Sequence, residues 1–249
     1  MVLQAREGRL ITPRVRLLIA TAVPAERDAV ARAFAPAADE VALPGAVLHR
    51  VPGTADLLAA GVGPGRAAAG TATALTAAAL AGTPYGLVVS AGIAGGFAPH
   101  APVGSLVVAD EIVAADLGAE TADGFLPVTE LGFGTVGHRP PESLVRVVGS
   151  VISAPLGAVL TVSTVTGSAA RADALRARHP RALAEGMEGF GVAEAAAAHG
   201  VPVLEIRAVS NPVGPRDRAA WRIGDALAAL TEAFGKLAPV LESWNPHDD

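Results

Sequence analysis

Cysteine is missing from all 249 residues, which removes disulfides, thiol nucleophiles and Cys-ligated zinc together. Lysine occurs once, at Lys236 in an expected surface helix, so Schiff-base chemistry has no suitable amine. The six histidines, His49, His100, His138, His179, His199 and His247, never recur at the i, i+4 spacing of a helical metal site. Neither a metal nor another cofactor is expected. No G-x-S-x-G occurs to form a nucleophile elbow. With a net charge of -5 and no run of like charges, the chain lacks the clustered cations that displace counterions from nucleic acid. No apolar run reaches the roughly 18 residues of a spanning helix, and the N-terminus has no secretory apolar region. The expectation is a soluble, cytoplasmic protein that meets neither nucleic acid nor membrane.

What is present is a 51% hydrophobic chain, enough for a sizeable core in one domain over residues 14–249, preceded by a flexible tail over 1–13. Residues 14–20 (RVRLLIA) read as a buried strand, followed by a helix over 24–34 with proline at its first position. Residues 41–50 and 56–60 read as strands with a turn at Pro52-Gly53, and GVGPG at 61–65 opens an alanine-rich helix ending near 81. A dinucleotide fingerprint fails there because Arg66 stands at the third glycine position, so helix–sheet packing accounts for the glycines. Residues 85–90 form a strand leading into a glycine loop, 91–96, whose backbone N–H groups could approach a ligand. A strand over 103–114 precedes a long irregular stretch, 115–139, in which Phe125 and Phe133 serve either as lid or subunit contact or as core packing. A helix over 143–152, a strand over 157–164 and a helix over 171–178 follow. The last helix opens at Arg216-Asp217-Arg218, with Trp221, Leu227, Leu230, Phe234 and Leu237 on its apolar stripe.

The chain is organised around residues 185–214, EGMEGFGVAEAAAAHGVPVLEIRAVSNPVG. A short apolar run over 182–184 leads through Gly186-Met187-Glu188-Gly189 to a helix that ends at Gly200, where glycine turns most cheaply. A strand over 201–209 then stops at Ser210-Asn211-Pro212. Alternating strands and helices imply an α/β fold, a central mixed β-sheet flanked by helices in three layers. Glu188 and Asn211 then follow successive strands and face the edge where open α/β sheets bind ligands. Glu26, in the first turn of the first helix, reaches the same edge. It either complements the helix dipole or offers a carboxylate to a ligand, and Asn211 is either a turn residue or a polar reader.

Five pieces in this order, Glu26 in its first turn, GVGPGRAAAG, SAGIAGG, MEGFGVA and RAVSN, resemble the nucleoside phosphorylase and nucleosidase family over residues 14–241. ADLGAETADGF, MEGFGVAEAA and RAVSNPVGPRD sharpen the resemblance toward its members in menaquinone biosynthesis. These cleave the C1′–N9 bond of an inosine carrying a carboxyphenyl ketone at its 5′ end and release hypoxanthine. The resemblance implies a three-layer nucleoside-phosphorylase-like fold, a purine nucleoside as small-molecule partner, and a homo-oligomer, dimer or larger. By it, Glu26 is the general base, Glu188 grips the ribose hydroxyls and Met187 packs on the sugar. Val62, Ile93, Ala94, Gly95, Val165, Thr166 and Phe125 are the further expected substrate contacts.

Elementary chemistry agrees with those roles. Breaking a C–N glycosidic bond passes through a cation-like sugar, which needs water activated on one face and the departing purine stabilised. Adenine-directed nucleosidases of the family carry aspartate where Asn211 stands. An amide offers NH₂ to a 6-oxo group and its carbonyl to N7–H, matching hypoxanthine or guanine. Phosphorolysis would need cations for phosphate. Glu26, together with Ile93 and Ala94 in the glycine loop, favours water, while Arg27 keeps a 6-oxopurine nucleoside phosphorylase open. A nucleoside-binding protein without catalysis is the remaining alternative.

Overall fold

The computed structural model describes residues 15–34, 39–51 and 55–245, so the expected tail over 1–13 and the turn at Pro52-Gly53 lie outside the described residues. In chain order the elements are β1 (Leu17–Thr21), α1 (Pro24–Ala31), β2 (Asp39–Leu43), β3 (Ala46–Val51), β4 (Ala55–Ala59), α2 (Pro64–Leu80), β5 (Leu87–Gly96) and β6 (Leu106–Ala114). They continue with β7 (Gly118–Thr121), β8 (Gly124–Pro127), β9 (Gly137–His138), α3 (Glu142–Ile152), β10 (Leu156–Thr161), α4 (Ala169–Arg178), β11 (Ala182–Gly186), α5 (Gly189–Ala198), β12 (Val203–Pro212), a 3₁₀ turn (Arg218–Ala220) and α6 (Ile223–Ser243).

The continuous apolar strands become interior because successive side chains point to opposite faces and both faces are covered. Leu18, Leu58 and Val88 pack with Leu75 of α2 and Phe190 of α5. Leu17, Ile19, Leu57 and Leu87 pack with Val30 of α1, Leu144 of α3 and Phe234 of α6. The three layers are thus helix, sheet, helix, as the alternation of elements implies. Sheet order is β11-β10-β6-β12-β5-β1-β4-β3-β2, and it is mixed: β12 runs parallel to β5 and antiparallel to β6. The far end of β5 also pairs antiparallel with β11, joining Gly95 to Glu185 and Gly96 to Ala184, so β5, β12, β6, β10 and β11 close into a ring.

Four expectations need correction, and in each the reason is local. Residues 91–96 are not a loop but the end of β5, because their missing side chains admit close neighbours. A Cβ on Gly92 would lie 2.7 Å from both the Glu26 carboxylate and the Arg207 guanidinium. Likewise β12 does not stop before Ser210: a bulge between Val209 and Asn211 carries the strand on to Pro212, whose missing N–H costs nothing at a strand end. The run over 41–50 splits into a hairpin, β2 and β3, at Pro44-Gly45, with Gly45 at φ 71°. Finally, α6 begins at Ile223 rather than Arg216, which takes Trp221 off the core stripe and leaves it half-buried beside a cavity. The stretch 115–139 also gains order through the β7–β8 hairpin and β9, which pairs with β6.

Candidate active site

A cavity of about 650 Å³ opens where β1, β5, β11 and β12 end, a volume that suits a nucleoside-sized ligand. Its wall includes every expected contact except Phe125: Glu26, Val62, Ile93, Ala94, Gly95, Val165, Thr166, Met187, Glu188 and Asn211 all line it.

Glu26 enters from the first turn of α1. One carboxylate oxygen accepts the backbone N–H of Ala22 at 2.9 Å and of Val23 at 3.2 Å, and the other accepts that of Ile93 at 2.8 Å. The helix-capping role is therefore real, and the same side chain also stands in the cavity wall. Burial pushes its carboxyl above the ordinary range; the Ile93 N–H and the Arg207 charge pull it back, while Glu188 adds to the rise. A carboxylate held by three N–H groups yet raised by burial is positioned and partly activated as a base.

Glu188 stands at the N-cap position of α5, where its side chain makes no hydrogen bond to the helix. It accepts from the Gly63 N–H at 3.2 Å and the Met187 N–H at 3.3 Å. The GVGPG turn, with Gly61 at φ 108° and Gly63 at φ 87°, therefore aims an N–H at Glu188. Helix–sheet packing does not account for these glycines, since a Cβ on Gly63 or Gly65 would meet nothing within 4 Å; the close approach to the sheet, 2.8 Å to the Ala60 carbonyl, is that of Gly70 further along α2.

Behind both acids lies Arg207, which is 1% exposed. Its guanidinium donates to Glu205 at 2.8 Å and to the Ser90 hydroxyl at 3.2 Å, and it approaches Glu188 at 3.5 Å. Burial opposes the Arg207 charge, but Glu205, Glu188 and Glu26 outweigh it and hold the group protonated. Burial also pushes the Glu205 carboxyl up, against the pull of Arg207. Glycines make room for this cluster: Gly189 lies directly over the Glu205 carboxylate and Gly191 against the Pro64 carbonyl. The MEGFG wording is thus steric, with two positions where a side chain would collide.

Asn211, also in the cavity wall, sits in β12, paired with Gly95 of β5. Its Oδ1 accepts from the Ser210 hydroxyl at 2.9 Å and its Nδ2 donates to the Pro212 carbonyl at 3.0 Å. Each amide atom keeps one further hydrogen-bonding direction for a ligand. Glu185, 2% exposed, also lines the cavity and accepts from Thr166 twice, from the backbone N–H at 2.8 Å and the hydroxyl at 2.5 Å. Burial raises its carboxyl and the two Thr166 donors lower it.

Phe125 falls outside the cavity. Its ring, on β8, lies under the Arg178 guanidinium at 4.3 Å, and Phe133 is 67% exposed. Arg27, the cation adjacent to Glu26 in sequence, is paired with Asp28 at 2.7 Å. Sequence reasoning missed Arg207, Glu205, Glu185 and Trp221. A signal existed for the first two: Glu205 and Arg207 stand two apart in an otherwise apolar strand, which puts opposite charges on one buried face. No group of three or more side chains arranged to hold a metal occurs among the described residues. No helix among them is long and apolar enough to cross a membrane.

Comparison with known proteins agrees with this geometry. Residues 16–243 match the phosphorylase superfamily. A futalosine hydrolase of Streptomyces coelicolor is 76% identical over 94% of this chain and 100% of its own length. One from Acidothermus cellulolyticus is 49% identical over 90% of each chain. The solved structure of the Helicobacter pylori futalosine hydrolase shares the fold with a TM-score of 0.77, covering 91% of this chain and 98% of its own at 20% identity. The chain belongs to the phosphorylase superfamily and, within it, to the futalosine hydrolase family.

Proposed function

We propose that this protein hydrolyses the N-glycosidic bond of futalosine, releasing hypoxanthine and dehypoxanthine futalosine within menaquinone biosynthesis. The observation that carries this is the shared wall: Glu26, Glu188 and Asn211, from three separate strand ends, open into one cavity. Glu26 takes a proton from a water that attacks C1′, while the C1′–N9 bond breaks and its electrons move into the purine, which gains its proton at N7 from solvent water as Glu26 returns one to solvent. Glu188 accepts hydrogen bonds from the ribose hydroxyls and its charge stabilises the cation-like sugar. Asn211 meets the purine at O6 and N7, and Met187 packs against the sugar.

Water rather than phosphate fits the charges. Arg207, the cation whose field reaches Glu26, is committed to Glu205, Glu188 and Ser90. At the 5′ side, Trp221 with the Arg216 guanidinium 5.1 Å from its ring centroid supplies an apolar slot beside a cation for the carboxyphenyl end. The working unit is a cytoplasmic homo-oligomer, in which exposed Phe133 and the β7–β8 hairpin with Phe125 meet a second copy; sedimentation at the monomer mass would contradict that part. Incubation with futalosine, inosine and methylthioadenosine, following released base, tests the activity. Release of hypoxanthine from futalosine is expected, and no release from any of the three would overturn it.

A further inference from the structure

Glu185 is a buried carboxylate on the cavity wall that the mechanism above leaves unused. Its location is defined by strand register. Gly95 of β5 has Glu185 of β11 as its partner on one side and Asn211 of β12 on the other. The three residues form one row across the closure of the ring, and all three line the cavity. Gly95 has no side chain, and a Cβ there would meet Val213 at 2.9 Å and the Asn211 amide at 3.3 Å. The row is therefore a polar group, a bare backbone, and a second polar group. Neighbouring strands lie about 4.8 Å apart, so the outer two backbones stand roughly 10 Å from each other. Once the two side chains are counted, that span suits the long direction of a flat purine.

We propose that Glu185 is a specificity-determining residue that accepts the N1–H of a 6-oxopurine while Asn211 reads O6 and N7 at the other end. The inference rests on the nucleoside-hydrolase reading of the same cavity. Its chemistry is simple. A 6-oxopurine carries hydrogen on N1, whereas a 6-aminopurine presents a lone pair there. Thr166 donates its N–H to one Glu185 oxygen and its hydroxyl to the other, and each oxygen of the ionised group keeps a further lone pair for a donor in the cavity that Glu185 lines. A carboxylate so held attracts N1–H and repels the N1 lone pair. Ser210 and Pro212 fix the Asn211 amide and Thr166 fixes Glu185, so neither end of the row rearranges to suit a 6-aminopurine. Discrimination at N1 thus adds to that at the 6-position, and a buried charged acceptor facing the wrong group is worth about 10–10² in preference.

A purely structural role, anchoring residues 163–168 through Thr166, is the competing account, and the test separates the two. kcat/KM is measured without phosphate on futalosine and on its 6-amino counterpart, for wild type, Glu185→Gln and Thr166→Val. Glu185→Gln keeps an acceptor for Thr166 and can turn its NH₂ toward N1. The 6-oxo to 6-amino ratio should fall about 10–10²-fold in that variant, with the 6-amino rate rising. Thr166→Val should lower both substrates by a similar factor. If Glu185→Gln also lowers both equally, Glu185 is an anchor and the proposal is wrong. Should Glu185→Gln fail to fold, product inhibition of wild type decides: hypoxanthine should inhibit at least about tenfold better than 1-methylhypoxanthine, and equal inhibition overturns the assignment. Wild type that hydrolyses neither nucleoside would refute the hydrolase reading itself, whereas hydrolysis with an unmoved ratio refutes only the role of Glu185.

Discussion

The polar groups of the cavity fall into two sets that differ in the charge beside them. Glu26 and Glu188, which the proposed mechanism assigns to the sugar, are set by backbone N–H groups and share the field of a fully buried arginine. Glu185 and Asn211, which the proposals assign to the base, are held by the Thr166 N–H and hydroxyl and the Ser210 hydroxyl, and Arg207 bonds to neither. The difference follows the reaction. Positive charge develops on the sugar, so the first set supplies negative charge, with Arg207 beneath it to make the concentration of acids tolerable. The purine differs from its analogues by where hydrogens sit, so the other set presents a fixed pattern of acceptors and donors. Under the proposed assignments, charge on one side serves rate and pattern on the other serves choice.

That division can be broken experimentally. Glu26→Gln should reduce kcat by about 10²–10⁴ while leaving substrate affinity within a few fold, measured by hypoxanthine release and calorimetry. Near-normal turnover would reduce Glu26 to its capping role. Arg207→Met leaves Glu205 and Glu188 buried beside one another without a cation, and should cost about 3–5 kcal/mol, read as a lowered thermal midpoint. An unchanged midpoint would mean that the acids do not need their internal partner. In the base set the effect is on ratio rather than rate: Asn211→Asp should shift preference toward 6-amino nucleosides by about tenfold, and a constant ratio would remove Asn211 from recognition. The smallest effect concerns pH. Because burial raises the Glu26 carboxyl in the folded protein, its ionised fraction is gained at higher pH than usual. The acid limb of kcat/KM should therefore rise with pH through a midpoint above the ordinary carboxylate range, and a limb at the ordinary position would contradict an activated Glu26.

Much of the architecture was legible from apolar runs and their punctuation. The buried strand LLIAT, proline at the start of α1 and the turn at Gly200, with φ 65°, stand where those rules put them. Glu26, Glu188 and Asn211 were legible as polar residues at strand ends, and all three reach one cavity. What escaped depends on register across strands that are distant in sequence. The pairing of Gly95 with both Glu185 and Asn211 exists only because the ring closes through β11, and no local pattern encodes that closure. The same is true of 91–96, where glycines that resemble a loop are instead strand residues, Gly92 crowded by Glu26 and Arg207, Gly95 by Val213 and Gly96 by Ala101 and Val209. Trp221 was misplaced by a helix start, because the 3₁₀ turn at Arg218–Ala220 delays α6.

The central claim is that a carboxylate at the opening of α1 directs water, and not phosphate, to C1′. The most direct measurement follows futalosine cleavage by purified protein in the presence of excess inorganic phosphate, with the sugar product identified by ³¹P NMR. Free dehypoxanthine futalosine with no phosphorus-bearing sugar, formed at the same rate when phosphate is omitted, is the predicted result. A sugar 1-phosphate, or turnover that stops without phosphate, would contradict it.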